Sequence, residues 1–251
     1  DIFIMAGRPM SIKADGHLTD FGERLMPDDT KQILECIYQM ANNRDINHLL
    51  NTGDDDFSFS IPGLSRFRIN AYKQRGSLAA VIRVIAFQLP DPSELSIPDD
   101  VMQTADYTKG MVLVTGSAGS GKSTTMACLI DRINHSREGH IITLEDPLEY
   151  LHRHDRCIVS QREICTDTEN YLTSLRATLR QSPDVILLGE MRDHETIQTA
   201  MTAAETGHLV LSSLHTLGAA NSISRIIDVF EPAQQHQIIV QLSMVLQAVI
   251  S

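Results

Sequence analysis

Gly116-Ser-Ala-Gly-Ser-Gly121-Lys122-Ser123 fits the pattern G-x-x-x-x-G-K-[ST] without a mismatch. Its flanks supply the context the pattern requires. Met111-Val-Leu-Val-Thr115 before it reads as a buried strand, and Met126, Leu129, Ile130 and Ile133 after it recur at i, i+3, i+4 and i+7, one face of a helix. Glycines let such a loop curl until successive N–H groups point at phosphate oxygens, and the helix N-terminus adds partial positive charge. The backbone from Ser117 through Ala118, Gly119, Ser120 and Gly121 to Thr124 is therefore expected to cradle a nucleotide. Lys122 would bridge β- and γ-phosphates, with the Ser123 hydroxyl on Mg2+. The plainer alternative is a glycine-rich turn that only caps a helix.

Outward from the loop the rhythm is strand, loop, helix, repeated. Strands are expected at 111–115, 140–145, 184–188 and 208–214, separated by helical patterns. Alternation of this kind makes an α/β fold, a parallel sheet with helices on both faces. Ligands in such folds sit beyond the carboxyl ends of the strands. Two acidic clusters fall there: Glu145-Asp146-Pro147-Leu-Glu149, and Glu190 at the end of Asp184-Val-Ile-Leu-Leu-Gly-Glu190. Hydrolysis of ATP needs a group to orient or deprotonate water and an acid associated with Mg2+. The second cluster has the form of a Walker B strand. Solvated turn residues or salt-bridge partners are the alternative for both.

Residues 1–90 read as a smaller α+β unit. Ile2-Phe3-Ile4-Met5 is a short strand, and 28–50 a helix starting after Pro27. A hairpin follows, with strands from Phe57 and from Arg66 to Tyr72 around Pro62-Gly63, and a further strand from Leu78 to Phe87 carries Arg83. Arg66, Arg68 and Asn70 share one face of their strand. Three prolines between Leu89 and Pro98 mark a stiff linker. The expected domains are 1–90, a linker at 91–100, and 101–251.

Composition bounds the chemistry. The 251 residues carry a formal net charge of -11, which disfavours a nucleic-acid partner. Arginine outnumbers lysine 16 to 5, a bias toward ion-paired interfaces or a phosphate ligand. The four cysteines form no C-x-x-C pair, which suits a reducing cytosol. No apolar run reaches the roughly 18 residues of a membrane span. His152-Arg-His154 is too short to specify a metal site and reads as surface. His208 and His215 bracket one strand, roughly 23 Å apart if extended, too far to share an ion; a hydrogen-bonding or phosphate-sensing role suits His215 better. The chain opens without methionine and stops at Ser251 within a helical pattern, the reading expected of a fragment.

Taken in order, these motifs resemble those of the secretion-superfamily ATPases, most closely the PilT-type branch of pilus retraction motors. Gly116–Ser123 is similar to the family's Walker A, and Leu144-Glu-Asp-Pro-Leu-Glu149 to its Asp box. Leu179 to Asp193 resembles its Walker B segment, and Thr202-Ala-Ala-Glu-Thr-Gly-His208 through Leu214-His215-Thr216 its His box. Gly189-Glu-Met-Arg-Asp193 and Asp228-Val-Phe230 favour the retraction branch, while Ser117-Ala118 stands where Pro-Thr is more usual.

The resemblance implies a PAS-like first domain, a RecA-like second, and a hexameric ring on an inner-membrane pilus platform protein, in the cytoplasm. It implies Glu149 as the water-activating carboxylate, Glu190 as the Mg2+-associated acid, and His208 and His215 as couplers of nucleotide state to domain position. Arg66, Arg68, Arg75 and Arg83 become candidates for reaching nucleotide in a neighbouring subunit. The rival readings are an extension or secretion ATPase of the same superfamily, a nucleic-acid motor, and a silent nucleotide-binding assembly subunit.

Overall fold

A computed structural model describes residues 1–14, 16–61, 63–85 and 89–251. The chain divides into two units, Asp1–Ala86 and Phe87–Ser251.

The first unit contains β1 (Ile2–Ile4), β2 (Met10–Ala14), β3 (His17–Phe21), α1 (Pro27–Met40), α2 (Asn47–Thr52), β4 (Asp54–Ile61), β5 (Ser65–Gln74) and β6 (Ser77–Ile85). Its strands form one antiparallel sheet in the order β3-β2-β1-β6-β5-β4. Helix α1 starts with Pro27 at its first turn, and the Asp29 carboxylate accepts the Met26 N–H at 2.7 Å. Leu34, Ile37 and Tyr38 then bury against Phe57, Ile69 and Ala71 of the sheet.

The expected helix over 28–50 is two helices. Asn42 and Asn43 take left-handed φ values of 57° and 55°, a conformation asparagine tolerates, and the chain turns there. The turn lets Arg44 reach Asp55 at 2.7 Å, where Tyr38 also donates at 2.8 Å. The Arg44 guanidinium lies 4.8 Å from the Phe57 ring centroid. Strands β2 and β3 escape a reading by period because all five β3 residues are exposed. Of the expected hairpin turn, Pro62 lies outside the described residues, as does Phe87 at the end of the strand expected from Leu78.

The second unit opens with a turn in which the Asp91 carboxylate accepts from Ser93 N and Oγ. Helix α3 (Asp99–Gln103) and a 3₁₀ turn (Thr104–Asp106) follow, so regular structure begins inside the expected linker. Then come β7 (Gly110–Thr115), α4 (Lys122–Ser136), β8 (Gly139–Glu145), β9 (Cys157–Glu163), α5 (Tyr171–Thr178) and β10 (Val185–Leu188). The unit closes with α6 (His194–Glu205), β11 (Leu209–Leu214), α7 (Ala219–Asp228), α8 (Pro232–Val245) and β12 (Leu246–Ile250).

The sheet runs β12-β7-β11-β10-β8-β9 with every pairing parallel. Each residue of β7, β10 and β11 is buried, as sheets covered on both faces require. On one face Leu129, Ile130 and Ile133 of α4 pack on Val112, Val114 and Leu211. On the other, Leu175, Ile197, Met201 and Leu242 of α5, α6 and α8 pack on Leu113, Ile142 and Ile186. This is the α/β architecture with a parallel sheet that the motif spacing predicts.

Two strands correct the reading. The helical pattern at the end of the chain stops at Val245, and Leu246–Ile250 runs as β12 alongside β7. Pairing with β7, and the Thr115 hydroxyl on the Ile250 carbonyl at 3.3 Å, overrides local helical preference. Strand β9 lies at the sheet edge, where Ile158 is 63% exposed, so its apolar alternation is blurred. Among the described residues no helix is long and apolar enough to cross a membrane.

Candidate functional site

Strand β7 delivers the chain into Gly116, whose φ of 150° and close approach require glycine: a Cβ there would lie 2.5 Å from Ser120 Oγ. The loop closes on itself through Lys122, 8% exposed, whose Nζ donates to the Ser117 carbonyl at 2.8 Å. Ala118, Gly119, Lys122 and Ser123 line a cleft of about 280 Å³. Ser120, Gly121 and Thr124 line a neighbouring cavity of about 270 Å³, walled by Leu95, Ile97, Pro98, Val101 and Ile250.

Parallel strands put their carboxyl ends on one edge, so the acids arrive together. Glu145 ends β8, Asp146 and Glu149 follow it, and Glu190 stands two residues beyond β10; all four line the cleft with Lys122 and Ser123. Gly189 allows the close packing here: its N–H donates to Leu144 O at 2.8 Å, and Ser213 Oγ donates to its carbonyl at 2.6 Å. Glu190 is held by Arg192 at 2.7 Å, and His215 Nε2 lies 3.4 Å from Glu190 Oε2, an ionic distance without hydrogen-bond alignment.

Burial pushes the Glu145 pKa up to about 7, against the hydrogen bonds of Thr143 and Gln161, with the Glu149 charge raising it further. Gln161 of β9 organises this corner. Its amide nitrogen donates to Tyr150 O at 2.9 Å and lies 3.5 Å from Glu145 Oε1, and its oxygen accepts His152 N–H at 2.7 Å. The Tyr150 hydroxyl meets Thr124 Oγ1 at 2.9 Å, joining the start of α4 to the segment after β8.

His152 corrects the surface reading. Its half-buried ring lines the cleft, burial alone lowers its pKa to about 4, and Nδ1 is buried without a partner. No sequence signal marks Tyr171 or Gln161, whereas Arg192 lies two residues beyond Glu190 in one motif. His208 is not brought to the cleft. It precedes β11 at the end opposite His215, with Nδ1 2.9 Å from Ala203 O.

The first unit's arginines occupy their own sheet. Arg68 and Arg83 are register partners on β5 and β6, each held by an acid: Arg68 to Asp56 at 2.7 Å and Arg83 to Asp1 at 2.9 Å. Arg66 donates to Ser58 at 2.8 Å, and Arg75 sits in the β5–β6 turn with φ of 48°.

Among the described residues no cluster of three His, Cys, Asp or Glu side chains could hold a metal by itself. Mg2+ keeps several waters and takes one or two protein groups plus phosphate oxygens. A serine hydroxyl and one carboxylate lining the same cleft, Ser123 and Glu190, match that donor set.

The family model for type II/IV secretion system proteins matches residues 9–251. The chain is 43% identical to the type IV pilus retraction ATPase PilT of Pseudomonas aeruginosa, over all of this chain and 72% of that protein. It is 40% identical to the type IV pilus ATPase PilU of the same organism, over all of this chain and 65% of that protein. The crystal structure of the pilus retraction motor PilT with bound ADP superposes with a TM-score of 0.90 at 44% identity, covering 99% of this chain and 72% of that one. This chain belongs to the type II/IV secretion system protein family.

Proposed function

We propose that the chain is the motor portion of an ATPase that drives type IV pilus retraction. The observation that carries this is the meeting of Lys122 and Ser123 with Glu149 and Glu190 in one cleft at the carboxyl edge of a parallel sheet. The retraction ATPase that it resembles along its whole length supports the assignment of the work done.

In this reading the loop Ser117–Thr124 binds the phosphates of ATP, and the apolar cavity beside Leu95, Pro98 and Ile250 takes the adenine base. Ser123 and Glu190 would hold Mg2+, which when bound would supply neutralisation of phosphate charge. Glu149 accepts a proton from a water as that water attacks the γ-phosphorus; the bond to the ADP oxygen breaks and the proton passes on to solvent. His215, beside Glu190, and His208, at the far end of β11, couple nucleotide state to movement of the first unit. One or more of Arg66, Arg68, Arg75 and Arg83 reaches the nucleotide of a neighbouring subunit in a hexameric ring. That ring works in the cytoplasm, peripheral to the inner membrane, against a platform protein of the pilus.

The test is Mg2+-dependent ATP hydrolysis by the full-length protein across a range of protein concentration, beside Glu149→Gln. Specific activity that climbs with concentration, and collapses in the variant while nucleotide still binds, is expected. Flat activity that survives the substitution overturns both the ring and the assignment of the base.

A further inference from the structure

Behind the acids lies a second cavity of about 380 Å³. It shares Glu190, Arg192, Ser213 and His215 with the nucleotide cleft, so those four side chains form a common wall. Its far wall is α7, which contributes Arg225 and Ile226, with Val229 just past the helix end.

The charges on this cavity do not balance. Counting the arginines alone, Arg192 and Arg225 face one carboxylate, Glu190, and that carboxylate is already engaged by Arg192 at 2.7 Å. Arg225 makes no ion pair or hydrogen bond among the described residues. Acids outnumber bases 32 to 21 in this chain, so an exposed arginine that faces a cavity and pairs with none of them needs explaining. Arginine's planar fork matches tetrahedral oxyanions.

We propose that this second cavity binds inorganic phosphate, with Arg225 as its anchoring cation, and receives the phosphate cleaved from ATP while ADP still fills the loop. This rests on the hydrolysis reading for the source of the anion, but the site itself is a statement about Arg225 and its neighbours. Phosphate formed beside Glu190 moves past the shared wall rather than back over the bound diphosphate. Arg192, already at that wall, hands the anion toward Arg225.

The experiment is equilibrium dialysis of radiolabelled inorganic phosphate against the full-length protein saturated with ADP and Mg2+, which occupies the loop. One phosphate per chain is expected to bind, and Arg225→Gln is expected to weaken that binding at least about tenfold, the loss of a charge-assisted pair. Arg225→Lys keeps the charge without the fork and is expected to fall between; it serves as the reading if the glutamine variant does not fold. Absence of phosphate binding, or binding equal in wild type and both variants, overturns the proposal. Arg225-dependent binding by a protein that does not hydrolyse ATP overturns the hydrolysis reading alone. Hydrolysis with Arg225-independent phosphate binding overturns this inference alone.

Discussion

Arg192 binds Glu190 at 2.7 Å, so the carboxylate proposed to face Mg2+ is shared with a cation two residues along the same segment. His215 approaches its other oxygen at 3.4 Å. The carboxylate's charge is what holds this group together. Glu190→Gln keeps the size and removes the charge, and turnover is expected to fall about 100-fold or more. Nucleotide affinity, which the proposal assigns to the loop, is expected to change far less. Steady-state hydrolysis beside equilibrium binding of a fluorescent nucleotide checks both; parallel losses in the two would contradict the assignment.

Gly189 is fixed by its neighbours rather than by its φ. A Cβ there would stand 2.8 Å from the Tyr171 hydroxyl and 3.4 Å from Glu145 Cα. Gly189→Ala is expected to cost about 1–3 kcal/mol of stability, the usual price of overpacking. Tyr171→Phe removes the offending atom, so the double variant should recover part of the loss. Denaturant unfolding of the two singles and the double measures the coupling, and strictly additive losses would refute the contact.

In the first unit, burial works to raise the Asp55 pKa, but the hydrogen bonds from Arg44 and Tyr38 outweigh it and hold the carboxyl below its usual range. Stability from this pair is present above the ordinary aspartate pKa and lost as pH falls through the lowered one. Asp55→Ala is expected to cost about 2 kcal/mol, below the figure for a wholly buried pair because 40% of the Arg44 side chain is exposed. Thermal unfolding at neutral pH reads it out. An unchanged Tm would show the pair to be ornamental.

Glu145 and His152 make opposite pH predictions in one cleft. Burial raises the Glu145 pKa from its ordinary 4.5 to about 7, so the folded state prefers the proton. Stability from this group is highest below 4.5 and falls as pH rises to about 7, by up to about 3 kcal/mol. Burial lowers His152 from 6.5 to about 4, so its contribution is full above 6.5 and is lost as pH drops toward 4. Glu145→Gln should therefore gain on wild type as pH rises, and His152→Gln should gain as pH falls. Unfolding free energies at pH 4.5 and 8 separate them; the same pH profile in all three proteins would overturn both.

Much of the second unit is legible in the sequence because its signals are local. β7, β8, β10 and β11 each lie within one residue of the ranges expected from apolar runs, and the loop between β7 and α4 announces itself by its glycines. The acids are legible too, since strand ends in a parallel sheet share an edge. What is not legible depends on partners distant in sequence. β12 is a strand because β7 lies beside it, and α1 ends where it does because Asp55 waits for Arg44. His152 and Tyr171 enter the cleft from a loop and a helix start that no motif names, and Gln161 braces their corner from an edge strand. Arg225 belongs to none of the quoted motifs, and only the placement of α7 brings it to a cavity.

The strand order has a consequence for the chain as it leaves the ribosome. β7 carries the phosphate loop, yet both of its neighbours, β11 and β12, are translated later: Leu209–Leu214 and Leu246–Ile250. A nascent chain that has just displayed the complete Gly116–Ser123 signature has no sheet to mount it on. The proposed nucleotide site is thus assembled only after β11 and β12 have been made, from segments about 100 residues or more apart in synthesis, the slow long-range pairing that parallel sheets impose. The first unit's sheet closes once β6 returns to β1, well before β7 is translated. Synthesis from N- to C-terminus therefore puts a finished sheet ahead of the emerging motor strands, and delays nucleotide capture until the second sheet closes.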